Sequence, residues 1–228
     1  MIYLYRNLEL QEQIVLAGDP GEGVSFAAGV CISKKYKDVP LVFHARIEST
    51  QFGYELNKMG LFVKKKTGSY PLLAVERNIG AATISKLIDL EYPLERLYKQ
   101  KTFDRILRKE EERIGWVTTS ANRRKMLDDL ALAIRKKQIK IYDPQTIAEM
   151  LTFIIQERTG EPRPERGHFS DLIMATAIAF QLLGEDMSTA KWAPTEEKTE
   201  KDNFLPNRAE GFIVEDPEDT PRDWRSAG

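Results

Sequence analysis

Apolar runs and breakers alternate along the first third of the chain. Residues 14–17 read as a buried strand, closed by Gly18, Asp19 and the turn Pro20-Gly21-Glu22-Gly23, and residues 24–32 turn straight back. Together with a run ending near residue 47, the pattern predicts strands at 13–18, 24–33 and 39–47, an antiparallel meander. Helical spacing then takes over at 50–65, with Phe52, Leu56, Met59, Leu61 and Phe62 on one side and a basic end, Lys64-Lys65-Lys66, before Gly68. A fourth strand at 70–75 ends at Glu76. The turn Arg77-Asn78-Ile79-Gly80 leads into a helix at 81–90 with Ile84, Leu87 and Ile88 as its buried face.

The second half is more charged. A strand is expected at 94–100, and 101–116 reads as an exposed excursion, of which a hairpin is one form, rejoining the body at Trp116. An amphipathic helix follows at 121–137, carrying Met126, Leu127, Leu130, Leu132 and Ile134. Residues 139–142 form a short strand, and Asp143-Pro144 starts a helix to about residue 155. The two prolines and two glycines of 156–167 mark a loop. A last, alanine-rich helix spans 171–183. Residues 1–12 read as a polar lead-in. The order β-β-β-α-β-α followed by further helices indicates an α/β fold.

The 228 residues suffice for one substantial core. No apolar run approaches the roughly 20 residues of a membrane span, and the N-terminus lacks a signal-peptide pattern, so no membrane partner is expected. Cys31 is the single cysteine, which excludes an intramolecular disulfide and a cysteine-based zinc site. It reads as a small core residue, and an intracellular setting follows. Charge divides the chain: residues 185–228 hold 6 basic and 12 acidic residues, a net of −6, while residues 1–184 hold 28 and 23, a net of +5. A body at 1–184 with an acidic, flexible tail at 185–228 is the expected organisation. No glycine-rich phosphate loop ending in Gly-Lys-Ser/Thr occurs.

Two buried-type strands end in an acid, Asp19 and Glu76, and a third acid, Asp171, opens the last helix after His168. Singly, each has an ordinary explanation: a turn-forming aspartate, a strand-end surface acid, a helix-start acid favoured by the dipole, a loop histidine. Jointly, if the two strands are neighbours, the carboxylates meet at one sheet edge and repel one another unless a cation intervenes. Oxygen donors point to Mg²⁺ or Mn²⁺, and a pair of such ions suits attack on a phosphodiester. His168 could join as ligand or proton carrier.

These segments, in order, resemble the nuclease domain of the large terminase subunit of tailed bacteriophages. Asp19-Pro20-Gly21-Glu22-Gly23 resembles its first acidic hairpin, Glu76-Arg77-Asn78-Ile79-Gly80 its second acid and turn, and His168 to Asp171 before Ala175, Ala177 and Ala179 its third. The resemblance covers roughly residues 12–184 and implies an RNase H-like mixed sheet flanked by helices. It also implies a two-metal endonuclease acting on double-stranded viral concatemer DNA. Asp19 would bridge two ions, Glu76 and Asp171 would each help hold one, and His168 would be a secondary ligand. Some members carry a further acid at the position of Ser25. The implied partners are the terminase ATPase domain, the small terminase subunit and the portal protein, in the host cell cytoplasm.

DNA backbone contact requires cations. The candidates are Lys64, Lys65, Lys66, Arg77, Asn78, Arg123 and Arg124. No base-reading module is evident, so largely sequence-independent cutting is expected. A junction resolvase or ribonuclease H of the same fold, and a non-catalytic module docking DNA or a portal, are the competing readings.

Overall fold

The computed structural model describes residues 1–21, 25–104, 109–156, 160 and 162–185. β1 (Ile2–Leu4), β2 (Ile14–Asp19), β3 (Ala27–Ser33), β4 (Asp38–Val39) and β5 (Leu41–Ala45) come first, followed by α1 (Ser49–Thr67), β6 (Leu72–Val75) and α2 (Ala81–Asp89). The main sheet has the order β1-β5-β3-β2-β6. β2, β3 and β5 form the expected antiparallel meander, and β6 lies parallel to β2, with Val15 opposite Leu72 and Gly18 opposite Val75. A parallel pairing needs a crossover, which α1 provides.

Beyond α2, a 3-10 turn (Leu94–Arg96) precedes β7 (Lys99–Asp104) and β8 (Lys109–Ile114), which pair as a hairpin. Then come α3 (Ser120–Arg135), β9 (Lys140–Ile141), α4 (Pro144–Leu151), β10 (Phe153–Ile155), β11 (Pro162–Pro164) and α5 (Asp171–Leu182). β9 runs parallel to β4, and β10 pairs antiparallel with β11.

Alternation of side chains along each strand assigns the sheet two cores. Val15, Ala17, Val30, Val42 and Ala74 pack with α5 and α3 on one face. Leu16, Cys31, Phe43, Leu73 and Val75 pack with Phe52, Leu56 and Met59 of α1 on the other. α1 comes so close to β2 that a Cβ on Gly18 would lie 2.8 Å from the Leu56 Cδ1 atom. No described helix is long and apolar enough to cross a membrane.

Several expectations need correction. The 144–155 helix stops at Leu151, and the chain turns into β10, whose partner β11 lies in the segment read as loop. The strand expected at 94–100 begins only at Lys99. Ile88, Leu132 and Ile134 are exposed rather than buried, and Ala133 takes the inner position on α3. The acidic tail, apart from Glu185, lies outside the described residues.

Residues 1–12 are not a lead-in. Ile2 and Leu4 are buried in β1, an edge strand on β5 too short to show alternation in sequence. The Arg6 guanidinium bonds Glu12 at 2.6 Å and Asp38 at 2.7 Å, and both carboxylates are buried. Removing one partner of a buried ion pair strands the others in a poor solvent. Arg6→Ala is therefore expected to lower unfolding free energy by about 3–5 kcal/mol, measured by denaturant titration. A loss within experimental error would mean that the cluster contributes no net stability.

Candidate metal centre

β2 and β6 end side by side, and each ends at an acid. The Glu76 amide donates to the Gly18 carbonyl at 2.8 Å, which carries the parallel pairing past Val75 and sets Glu76 beside Asp19. On its other side the Trp116 amide donates to the Val75 carbonyl (2.8 Å) and the Arg77 amide to the Trp116 carbonyl (2.7 Å). Glu76 is thus held between two backbone segments. Asp19 and Glu76 are both buried. Burial first, then the charge and hydrogen bond of Glu76, then the charges of Asp171 and Glu149, hold Asp19 well above the usual carboxylate range.

Register and parity bring further groups to the same spot. His44 of β5 lies opposite Ala28 of β3, which lies opposite Asp19. Side chains in one such row share a face of the sheet, here the face covered by α5. Asp171, the first residue of α5, is buried and accepts from the Phe26 amide at 3.3 Å. Burial raises its pKa, with that amide working against the rise.

Glu149 of α4 completes the group. Its Oε2 atom accepts from the amides of Leu172 (3.0 Å) and Ile173 (3.2 Å), capping α5 from another helix while Ser170 makes no side-chain cap. Its Oε1 atom is buried without a hydrogen-bond partner among the described residues, as is His44 Nε2, 4.0 Å away. Burial, against the opposition of the α5 amides, pushes Glu149 up to about 7. Burial also holds the His44 imidazole below its ordinary value, with the charge of Asp143 opposing. Donor atoms of His44, Glu149 and Asp171 lie within 4.8 Å of one another. Four crowded acids and one imidazole, with Glu149 Oε1 and His44 Nε2 left unpartnered among the described residues, fit a divalent cation held mainly by oxygen.

Asp19 and Glu76 stand at adjacent strand ends with Asp171 near enough for its charge to act on Asp19, but the donor atoms grouped within 4.8 Å are those of His44, Glu149 and Asp171. His168 is not among the grouped donors. It is exposed beyond the turn after β11, its amide bonding the Glu165 carbonyl at 3.0 Å, and the histidine of the cluster is His44. His44 follows the apolar run Leu41-Val42-Phe43 as Asp19 and Glu76 follow theirs, so the same rule applied to residues 41–45 would have found it. Glu149 shares the inner face of α4 with Thr146, and a buried-face acid on an amphipathic helix was its signal.

The cations are dispersed. Arg77 stays beside the acids, its Nη1 3.4 Å from the Ile114 carbonyl, and Asn78 donates to the Thr118 carbonyl at 2.7 Å. Arg123 and Arg124 bond the carbonyls of Pro162 (2.9 Å) and Gly160 (3.1 Å), tying α3 to the strand before α5. Lys64, Lys65 and Lys66 are at the wrong end. The start of α1 lies against Gly18, whereas its last residue, Thr67, accepts from the Gln11 amide ahead of β2. One short strand separates these lysines from Glu76 in sequence, but that strand carries the chain away from them, across the sheet.

No family model matches the chain, and no curated protein matches it. Among solved structures, the large terminase nuclease from thermophilic phage G20c superposes with a TM-score of 0.57 at 14% identity, over 78% of this chain and 86% of that one. The same nuclease with bound magnesium gives a TM-score of 0.57 at 13% identity, over 78% and 85%. The nuclease domain of the Thermus phage P74-26 large terminase gives 0.54 at 13%, over 80% and 86%. The chain has the fold of these nucleases, a five-stranded mixed sheet flanked by helices, as its resemblance in sequence implied.

An acid whose pKa is raised by folding costs stability once the pH exceeds its ordinary value, and the cost grows until the raised value is reached. For Glu149 that window runs from 4.5 to about 7. In EDTA, Asp19→Asn is expected to raise the melting temperature at neutral pH and to weaken the loss of stability across this window. A lower melting temperature in the variant would show the Asp19 carboxylate to be stabilising.

Proposed function

We propose that this chain is the nuclease portion of a large terminase, a metal-dependent endonuclease that cuts double-stranded concatemer DNA during viral genome packaging. The observation that carries the reading is the convergence of Asp19, Glu76 and Asp171 from two adjacent strand ends and a helix start. The fold shared with large terminase nucleases supports it.

Asp19, Glu76 and Asp171 would hold Mg²⁺ or Mn²⁺, two ions in the fullest form, and such ions supply Lewis-acid chemistry for phosphodiester hydrolysis. The protein's own part is positional. Paired strand ends fix Asp19 and Glu76, and the Phe26 amide fixes Asp171, so donor atoms do not have to be ordered when substrate arrives. Burial keeps competing water from the carboxylates and makes their charge demand a cation. Arg77 and Asn78, which directly follow Glu76, are the proposed contacts to the DNA backbone, together with Arg123 and Arg124 of α3. None of these offers a constellation for reading base edges, which supports sequence-independent cutting. On this reading residues 1–184 are the nuclease domain and 185–228 a tail. The partners are a terminase ATPase domain, a small terminase subunit and a portal protein, in the host cell cytoplasm.

Supercoiled plasmid incubated with EDTA, Mg²⁺ or Mn²⁺ tests the proposal. Nicking and linearisation are expected only with metal. Loss of a mere outer-shell partner costs about 10–100-fold, so Asp19→Asn is expected to cost at least about 100-fold. A well-folded wild type inactive with both metals would overturn an autonomous nuclease. For the cations, Arg77→Ala should weaken DNA binding and reduce the salt slope by about 1, whereas replacing Lys64, Lys65 and Lys66 together by alanine should leave cleavage within about 2-fold. The reverse ranking in a salt-dependent binding titration would move the DNA path to the far end of the sheet.

A further inference from the structure

We propose that His44, Glu149 and Asp171 form a second cation pocket, joined to the Asp19–Glu76 end of the site through Asp171, which takes a transition-metal dication such as Mn²⁺ in preference to Mg²⁺. The proposal rests on reading the buried acids as a metal centre. It adds a ligand set, and a metal class, that the three strand-end and helix-start acids do not require.

The distances suit one ion. Ligands at about 2.1 Å from a metal lie at most about 4.2 Å apart. His44 Nε2 and Glu149 Oε1 are 4.0 Å apart, too far for a hydrogen bond and right for two ligands of one cation. All three donors lie within 4.8 Å, and three ligands at that bond length stand about 3.6 Å apart, so the side chains must close by up to about 1 Å to share the ion.

Both of these atoms are buried and unpartnered among the described residues, and the Glu149 side chain is only 5% exposed. An orphaned buried polar atom costs free energy, and two aimed at each other across a metal-sized gap have a shared remedy. Their surroundings also fix their aim. Glu149 Oε2 is bound by the Leu172 and Ile173 amides, so Oε1 must face the gap. The His44 ring stacks on Phe26 at a centroid distance of 4.5 Å. Orientation of ligands by such neighbours is what distinguishes a metal site from a chance cluster.

The imidazole selects the metal. Mg²⁺ keeps oxygen ligands and several waters, while Mn²⁺, Co²⁺ and Zn²⁺ accept a nitrogen donor readily. A mixed site, oxygen-only at Asp19–Glu76 and nitrogen-bearing at His44, would make the second ion the more selective of the two.

Pulsed EPR of the full chain loaded with Mn²⁺ alone reads this directly, because a histidine ligand imposes a nitrogen hyperfine coupling on the ion. The coupling is expected in the wild type, absent in His44→Gln, and retained under about 100-fold excess Mg²⁺. Glu149→Gln is expected to weaken Mn²⁺ binding by about 10-fold or more in calorimetry. Because Glu149 also caps α5, His44→Gln, with circular dichroism to verify folding, carries the test if that variant does not fold. Bound Mn²⁺ without nitrogen coupling, coupling that survives His44→Gln, or coupling erased by Mg²⁺ would each overturn the pocket while leaving plasmid cleavage to decide the nuclease reading. No Mn²⁺ binding at all would overturn the pocket and the metal centre together.

Discussion

Carboxyl groups crowded out of water resist ionisation, and everything near the end of β2 bears on that constraint. Asp19 touches Glu76 and feels Asp171 and Glu149, and each influence on it favours the proton. A chain selected only for stability would replace at least one of these acids, since an unpaired buried charge costs several kcal/mol. The architecture instead holds them in place with backbone: the β2–β6 pairing, the Trp116 strand segment and the Phe26 amide. The strand supports are insensitive to side-chain protonation, so Asp19 and Glu76 keep their places whether charged or not, while the Phe26 amide favours the charged form of Asp171.

Helix α5 answers part of the demand. It is buried along almost its whole length and aims its amino end, with free amides and partial positive charge, at the acids. Glu149 takes two of those amides. One carboxylate thereby terminates a helix with one oxygen and presents the other to the cluster. Capping of this kind is worth about 1 kcal/mol when supplied locally. Supplied from α4, it also fixes the spacing of two helices.

What the sequence made legible follows from where the signals are local. Asp19 and Glu76 each close an apolar run, and a run is visible one segment at a time. Asp171 stands before an alanine-rich stretch that could only be a buried helix. His44 follows an apolar run in the same way, but of the chain's two histidines only His168 is close to one of the acids in sequence. Proximity in sequence misled again at Lys64–Lys66, because a parallel crossover returns the chain to the opposite end of the sheet. Glu149 marks itself locally only as an acid on the inner face of α4; that it reaches the cluster depends on α4 docking beside α5, a tertiary fact. β1 and β10 are three residues each, below the length at which alternation can be recognised.

The Trp116 segment has a consequence away from the acids. β6 is the last full strand on its side, and an uncovered last strand offers amides and carbonyls to any other chain. Here Tyr98 bonds the Leu73 carbonyl and Trp116 the Val75 carbonyl, both at 2.8 Å. At the opposite margin the outermost strand, β1, has only three residues. Neither margin leaves a long flat ladder open. The sheet therefore cannot readily be extended by a neighbouring chain, and the fold carries its own protection against edge-to-edge association.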